Sequence, residues 1–279
     1  SDEKIYANLQ DCFISDSLEK WIIRGGAAML GVERRQKIME KLQLEQKVYV
    51  SELSKLFGIT EETVRRDLEK LEAENLLRRS YGGATLAEHT SEDLSFIRRS
   101  AVNSAGKEAI AQKAAQLIQD GDTIMVDSST TCMALFKVLQ NKKDLTIITN
   151  SIRLIHRFLN APFKFISTGG TLRQNSGALT GAVACDTLRR YFVDRAVISC
   201  KGLDQTKGIM ESNEEESVIK QVMIAQAKET MLLADHSKFG RTAFTQTCDI
   251  ARVATIVTDR PPDAGWQTFI AEKGIELVD

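Results

Sequence analysis

Two groups of residues in the 279-residue chain have types and spacings that could do chemistry. The first is Asp127-Ser128-Ser129-Thr130-Thr131, which follows the apolar run Thr123 to Val126 and precedes a helical pattern around Met133 to Leu139. Hydroxyls and backbone N–H groups at a helix start make an anion site, because those N–H groups lack partners and the dipole's positive end favours negative charge. A phosphate suits such a cradle better than an aldehyde or an amine. The blander reading is that the hydroxyls only cap the helix. The second group lies on another helix, where Val64, Leu68 and Leu71 form one apolar stripe and leave Thr63, Arg65, Arg66 and Lys70 off it. That face is free to touch a partner, and a helix of this size fits the major groove of double-stranded DNA.

Both groups need elements to hold them. A first helix begins near Glu33 and continues through Ile38 and Leu42, with Arg34, Arg35 and Lys37 on its exposed side. Val48-Tyr49-Val50 reads as extended, Ser51 as the cap of a short helix from Glu52 to Phe57, and Gly58 as its end. Thr60 caps the third helix, whose first turn Glu61-Glu62-Thr63 places acidic residues at the positive end of the dipole. Leu76 to Leu86 forms two strand-like runs around Gly82-Gly83, a wing. In this winged helix-turn-helix, Thr60, Thr63 and Arg65 sit where base edges are reached, while Arg66, Lys70, Arg78, Arg79 and Tyr81 read as phosphate or wing contacts. Glu52, Glu61, Glu69, Glu72 and Glu74 offset the basic residues, so affinity must come from focused contacts. The competing possibility is a solvated helix whose arginines pair with Asp67 and Glu69.

The remainder repeats one theme of apolar strand, polar tip and helix. The tips are Asp127 to Thr131, Thr149-Asn150-Ser151, Ser167 to Thr171, Cys200-Lys201-Gly202-Leu203-Asp204 and Asp235-His236-Ser237-Lys238, with Thr258-Asp259 closing the last strand. Buried strands alternating with helices predict an α/β fold with a mostly parallel sheet, and ligands of such sheets bind beyond the carboxyl ends of the strands. The expected divisions are an uninformative upstream extension or appended leader at 1–28, the DNA-reading domain at 32–87, a linker at 88–101, an effector-binding domain at 102–259 and its tail at 260–279.

Composition narrows the class. With 43% hydrophobic residues, 27% charged residues and a net charge of −1, the chain reads as an ordinary soluble globular protein with no general affinity for polyanions. The five cysteines are scattered without CxxC or Cys/His spacing, which argues against a disulfide framework or a metal site and for a reducing cytoplasm. No run approaches the roughly 18 apolar residues of a membrane span. His89, His156 and His236 lie far apart, without triad or metal spacing; only His236, at a strand tip, could line a ligand cavity.

From Glu33-Arg34-Arg35-Gln36-Lys37-Ile38 through Val64-Arg65-Arg66-Asp67-Leu68 to Tyr81-Gly82-Gly83-Ala84, the chain resembles the DeoR family of bacterial transcriptional regulators. Across about 102–259 it resembles the effector domain of that family, which is similar in fold to ribose 5-phosphate isomerase, a Rossmann-like arrangement. The family's D-S-G-T-T-T loop stands here as Asp127 to Cys132, its T-N and T-G-G tips as Thr149-Asn150 and Thr168-Gly169-Gly170, its N-E-E-E-x-x-x-K run as Asn213 to Lys220, and its A-D-x-S-K-F-G run as Ala234 to Gly240. The small-residue G-A-x-G segment is altered to Cys200 to Asp204. The resemblance implies a phosphorylated effector, most simply a sugar phosphate, held by residues from Asp127, Ser128, Ser129, Thr130, Thr131, Asn150, Ser151, Gly169, Gly170, Lys201, Asp204, Glu215, Lys220, Asp235 and Lys238. Isomerisation needs a positioned base, ordinarily a carboxylate. Where the isomerase carries its glutamate, near Ile219-Lys220-Gln221, a lysine stands, so binding without turnover is expected, with no cofactor and no metal. The implied protein is a cytoplasmic repressor of a carbohydrate operon, a dimer or tetramer on its operator, with no membrane partner. The alternatives are an isomerase-like enzyme bearing an accessory DNA-binding module, and an architectural DNA binder with no effector.

Overall fold

The computed structural model describes residues 30–45, 47–74, 76–86 and 94–279. The expected leader at 1–28, residues 88–93 of the expected linker, and His89 lie outside them. The chain divides into two units, Ser1–Ala87 and Glu88–Asp279.

In the first unit, helices α1 (Gly31–Glu45), α2 (Val50–Phe57) and α3 (Glu61–Ala73) accompany strands β1 (Lys47–Tyr49), β2 (Leu77–Ser80) and β3 (Gly83–Leu86), which pair antiparallel in the order β1-β3-β2. Ile38, Leu42, Val48, Leu53, Val64, Leu68 and Leu77 form its dry core. Helix α2 starts two residues earlier than the Ser51 cap predicts. Val50 is buried and its N–H donates to the Gly82 carbonyl at 2.8 Å, so the chain turns helical there, with Tyr49 at the cap position and Ser51 exposed in the first turn. Gly58 ends α2 at φ 63°, a left-handed conformation that glycine adopts without a Cβ penalty. At the wing, a Cβ on Gly83 would stand 2.1 Å from the Val48 carbonyl oxygen, so only glycine lets β3 pair with β1.

Arg34 and Arg35 do not lie on an open face. Asp67 occupies a buried position of α3, where an unpaired carboxylate would be costly. Arg34 Nε reaches it at 2.5 Å and Arg35 Nη1 at 3.5 Å, tying α1 to α3.

The second unit opens with α4 (Phe96–Ala101) and α5 (Ser104–Leu117). It then alternates β4 (Thr123–Val126), α6 (Thr130–Val138), β5 (Thr146–Thr149), α7 (Ile152–Arg157), β6 (Lys164–Ser167), the hairpin β7 (Thr171–Arg173) and β8 (Ala178–Thr180), α8 (Ala182–Leu188) and β9 (Val193–Ser199). After β10 (Gly202–Asp204) and β11 (Gly208–Glu211) come α9 (Glu214–Ala225), β12 (Ala227–Leu233), β13 (Thr245–Cys248), β14 (Thr255–Val257), α10 (Ala264–Glu272) and β15 (Glu276–Val278). Seven strands form one wholly parallel sheet in the order β15-β14-β12-β9-β4-β5-β6. Alternate residues feed two cores: Met125, Ile148, Ala196, Ile198 and Leu232 pack with α8, α9 and α10, whereas Ile124, Val126, Ile147, Val197 and Leu233 pack with α5 and α6.

Two departures from the sequence reading bear on the site. The stretch read as linker holds α4, whose Phe96 N–H donates to the Asn175 carbonyl at 3.0 Å. The stretch read as tail supplies α10 and the edge strand β15. A small antiparallel sheet, β10-β11-β13, stands beside the parallel one.

Candidate functional site

The candidate DNA-reading face is built on the start of α3. Thr60 Oγ1 accepts the Thr63 N–H at 3.3 Å and lies 2.9 Å from Thr63 Oγ1, so the predicted cap is formed. Arg65 and Arg66, both exposed, make loose pairs along the helix: Arg65 with Glu61 at 2.7 Å and Arg66 with Glu62 at 3.6 Å. Such pairs are worth about 0–1 kcal/mol, so a DNA phosphate can displace them. Lys70 and Arg78 are exposed, and Tyr81 stands wholly in solvent at the wing turn. Arg79 differs from its predicted role. Its guanidinium bridges Glu69 at 2.8 Å and Glu72 at 2.7 Å, and its N–H donates to Glu72, fastening β2 to α3. Those bonds from Arg79, backbone first, hold the Glu72 pKa below the ordinary carboxylate value. Arg79 orients the wing rather than offering an open cation. The rival pairing of the α3 arginines with Asp67 and Glu69 is not what forms, because Arg34 and Arg35 take Asp67 and Arg79 takes Glu69.

In the second unit, the tips of β4, β5, β9 and β12 meet along the carboxyl edge of the sheet. At the centre, Lys220 of α9 donates to the Ser199 carbonyl at 2.6 Å, lies 3.1 Å from Asp127 Oδ2 and makes a very short contact with Glu211 Oε1. All three side chains are buried. Burial alone would drive the Lys220 pKa down, but Glu211 and Asp127 outweigh it and raise it, so the ammonium persists. Asp127 also accepts the N–H groups of Ser199 at 2.8 Å and Ser129 at 2.9 Å; Lys220 and these bonds overcome its burial and lower its pKa. Burial raises the pKa of Glu211.

Around this ion cluster the predicted residues divide. Ser129 Oγ accepts the Cys132 N–H at 3.1 Å and Ser151 Oγ the Leu154 N–H at 3.2 Å, so both are caps. The first-turn N–H groups of α6 at Thr130 and Thr131 lie ahead of the first intrahelical bond, as at any helix start. Asn150 donates Nδ2 to the Leu179 carbonyl at 3.1 Å. Gly170, at φ 109°, sits where a Cβ would press within 2.5 Å of the Thr180 carbonyl oxygen, so it serves close backbone packing. Asp235 is buried, accepts from Ser237 at 3.0 Å through N–H, and has Lys238 Nζ at 3.9 Å; Lys238 and the Ser237 bonds outweigh burial and lower its pKa.

The profile of the DeoR C terminal sensor domain matches residues 102–260, and that of the DeoR-like helix-turn-helix domain matches 34–90. The chain belongs to the DeoR family. The uncharacterized HTH-type transcriptional regulator YulB of Bacillus subtilis is 38% identical over 90% of this chain and 97% of its own length. The HTH-type transcriptional repressor GlcR of the same organism is 35% identical over 88% and 95%, and the glycerol-3-phosphate regulon repressor of Escherichia coli is 31% identical over 89% and 99%. Among solved structures, ribose 5-phosphate isomerase A from Methanocaldococcus jannaschii aligns with TM-score 0.37 at 17% identity, over 49% of this chain and 55% of that one.

Within this DeoR sensor unit, four predicted effector residues, Lys220, Asp127, Asp204 and Glu215, have other employment. Lys220 is neutralised by Asp127 and Glu211, so neither it nor Asp127 faces a ligand as an open charge. Asp204 turns outward and accepts the N–H groups of Thr206 at 2.9 Å and Lys207 at 2.8 Å, closing the β10–β11 hairpin. Glu215 is exposed and accepts from Thr180 Oγ1 at 3.0 Å, while its neighbour Glu216 is buried against Arg173 at 2.8 Å. His236 is held by Asp259, at 2.7 Å from Nδ1 and 2.7 Å from its N–H. Sequence reasoning missed Glu211, Arg99, Arg153 and Lys107. Lys107, buried on α5, donates to the carbonyls of Arg99 and Val102 at the end of α4. A lysine near a helix start beside two arginines on the preceding helix was the available signal. Among the described residues no His/Cys/Asp/Glu cluster suits a metal, and no helix is long and apolar enough to cross a membrane.

Proposed function

We propose that this DeoR-family chain is a cytoplasmic, ligand-controlled repressor of a carbohydrate-utilisation operon, whose sensor unit binds a phosphorylated sugar or related metabolite at the carboxyl edge of its parallel sheet. The observation that carries the reading is the state of the charges at that edge. Thr130 and Thr131 present a helix start and Lys238 a half-buried cation, whereas the carboxylates there are engaged: Asp127 and Glu211 by Lys220, Glu216 by Arg173, Asp235 by Ser237 and Asp259 by His236. An edge with cations in reach, whose buried carboxylates are all engaged, suits holding an anion better than abstracting a proton. Burial also drives the Cys200 thiol, beside the β9 tip, up to about 12, which leaves it a poor nucleophile. The names of the relatives, among them a glycerol-3-phosphate regulon repressor, agree with a phosphorylated effector.

The partner of the first unit is a double-stranded operator, read by Thr60, Thr63 and Arg65 and gripped by Arg66, Lys70, Arg78 and Tyr81. Two such units in a dimer or tetramer would sum two half-sites into one tight site. Effector control then requires unequal effector affinity in the DNA-bound and free states. The test is operator binding by the full chain with and without a panel of sugar phosphates. Arg66→Ala lowers affinity and cuts the salt slope by about one, and at least one sugar phosphate shifts the wild-type curve. Unchanged operator affinity in Arg66→Ala and Arg65→Ala would remove the DNA-reading assignment, and turnover of any panel member would restore the isomerase alternative.

A further inference from the structure

Two arginines of the sensor unit, Arg99 and Arg153, have a buried guanidinium nitrogen without a partner. Arg99 on α4 donates Nε to the Leu94 carbonyl at 3.1 Å, and Arg153 in the first turn of α7 makes no hydrogen bond or ion pair among the described residues. Both guanidinium groups face the ring of Phe96, at 5.9 Å and 5.0 Å from its centroid. Arg99 Nη2 and Arg153 Nε are buried donors without an acceptor. Two other buried polar atoms among the described residues lack partners, Asn150 Oδ1 and Ser176 Oγ, on residues only 2% and 0% exposed.

These four atoms share one neighbourhood. Asn150 and Arg153 lie three residues apart at the tip of β5. Ser176 belongs to the β7–β8 turn, whose Gly177 carbonyl accepts the Ile152 N–H at 3.1 Å and whose Gly177 packs so closely that a Cβ would come within 2.7 Å of Arg153 Nε. The same turn accepts the Phe96 N–H through Asn175, which brings α4 and Arg99 to it. An unsatisfied buried polar group costs about 1–3 kcal/mol, so four collected in one place describe a site finished by something that bonds them. Further charges lie close by: burial, then Lys238, lower the pKa of nearby Lys107 to about 8, with Asp235 opposing and Arg99 acting in the same direction as Lys238.

We propose that Arg99, Arg153 and Ser176, with Asn150 accepting, form an oxyanion subsite at the tip of β5 that holds the phosphate or carboxylate of a hydroxylated effector and thereby fastens α4. Guanidinium forks match the oxygens of either anion, and Asn150 Oδ1 takes a neighbouring hydroxyl of the same molecule. Helix α4 is the first element after residues 87–93, the segment through which the sensor unit follows the DNA-reading unit in sequence. Without ligand it is held by the Phe96 N–H bond and by Lys107 on its terminal carbonyls. An anion on Arg99 adds a bond from α4 itself, so occupancy sets how firmly this helix is anchored. The inference rests on the reading of the sheet edge as the effector site.

The experiment uses the full chain, with inorganic phosphate, glycerol 3-phosphate, glucose 6-phosphate and gluconate as probes and thermal stabilisation and calorimetry as readouts. Wild type, Arg153→Met, Arg153→Lys, Arg99→Gln and the Thr130→Val/Thr131→Val pair are compared. The expected result is stabilisation of wild type by at least one probe, loss of it in Arg153→Met, and weakening by about tenfold in Arg153→Lys and Arg99→Gln, the order of one lost charge-assisted bond. Comparing gluconate with the phosphates identifies the oxyanion. Amide exchange across 96–101 slows with probe in wild type and not in Arg153→Met. If Arg153→Met loses its native circular dichroism, Arg153→Lys and Arg99→Gln carry the test. Binding that is lost in the threonine pair but intact in every arginine variant overturns the subsite and leaves the effector reading standing. No response of wild type to any probe overturns both.

Discussion

Charge is used in opposite ways in the two units. On α3 of the DNA-reading unit, arginines and glutamates meet in water at helical spacing, and each pair can open at little cost. At the sheet edge of the sensor unit, Lys220, Asp127 and Glu211 are buried together, and none can be removed without stranding another. The first arrangement keeps cations available to a polyanion that arrives from solvent. The second spends a cation to hold three elements, β4, β11 and α9, in register, and leaves the ligand to other groups. A conspicuous lysine in a motif is therefore weaker evidence for ligand contact than a half-buried arginine with nothing to bind.

The contrast can be broken most sharply at Lys220. Lys220→Met leaves two buried carboxylates unpaired and is expected to cost about 3–5 kcal/mol in urea unfolding, whereas also introducing Asp127→Asn and Glu211→Gln should recover much of that loss. A small loss in the single variant would mean that water reaches the cluster. Next in size is Asp67, where the first unit departs from its own pattern. Asp67→Asn should cost about 1.5–3 kcal/mol through its bonds to Arg34 and Arg35 and weaken operator binding by loosening α3; loss of stability with unchanged operator affinity would show that α3 holds its pose without α1.

A smaller effect concerns pH. Lys107 titrates near 8 in the folded protein and near its ordinary 10.5 when unfolded. The unfolded state therefore binds more protons between those values, and this group's contribution to stability rises with pH across that window and is lost as pH falls through about 8. Binding of a phosphate probe should run the other way. Arg99, Lys238 and Asp235 are the charges that act on Lys107, and loss of the Lys107 charge makes affinity fall several-fold as pH rises through about 8. A calorimetric pH series checks this, and Lys107→Met should flatten it. Smallest of all, Arg65→Ala should change stability by no more than about 0.5 kcal/mol while weakening DNA binding, and a larger loss would show that its pair with Glu61 is structural.

The sequence made the first unit nearly readable because its signals are local. The Thr60 cap, the Val64-Leu68-Leu71 stripe and the Gly82-Gly83 turn each act within a few residues, and each formed as predicted. The predictions that failed there, Ser51 as a cap, Arg34 and Arg35 on an open face and Arg79 as an open cation, failed through partners that the helical pattern does not show: the Gly82 carbonyl, Asp67, and Glu69 with Glu72. In the sensor unit the order of strands and tips was legible from alternating apolar runs. The employment of the polar tips was not. Lys220 meets Asp127 across 93 positions, and Arg99 nears Arg153 only because the β7–β8 hairpin folds back on α4. Helix α4 and strand β15 were overlooked because six-residue and three-residue elements leave almost no periodicity.

The position of β4 has a consequence for how the chain is made. It is the earliest strand of the parallel sheet, yet it lies near the middle, with β5 and β6 on one side and β9, β12, β14 and β15 on the other. A growing chain can lay β5 and β6 beside it at once, but its other edge stays open until β9 has left the ribosome, and Asp127 waits longer still for Lys220. Pausing of synthesis between Ser167 and Val193 would therefore expose an apolar edge already formed on one flank, the segment over which a nascent chain of this protein has most need of a chaperone.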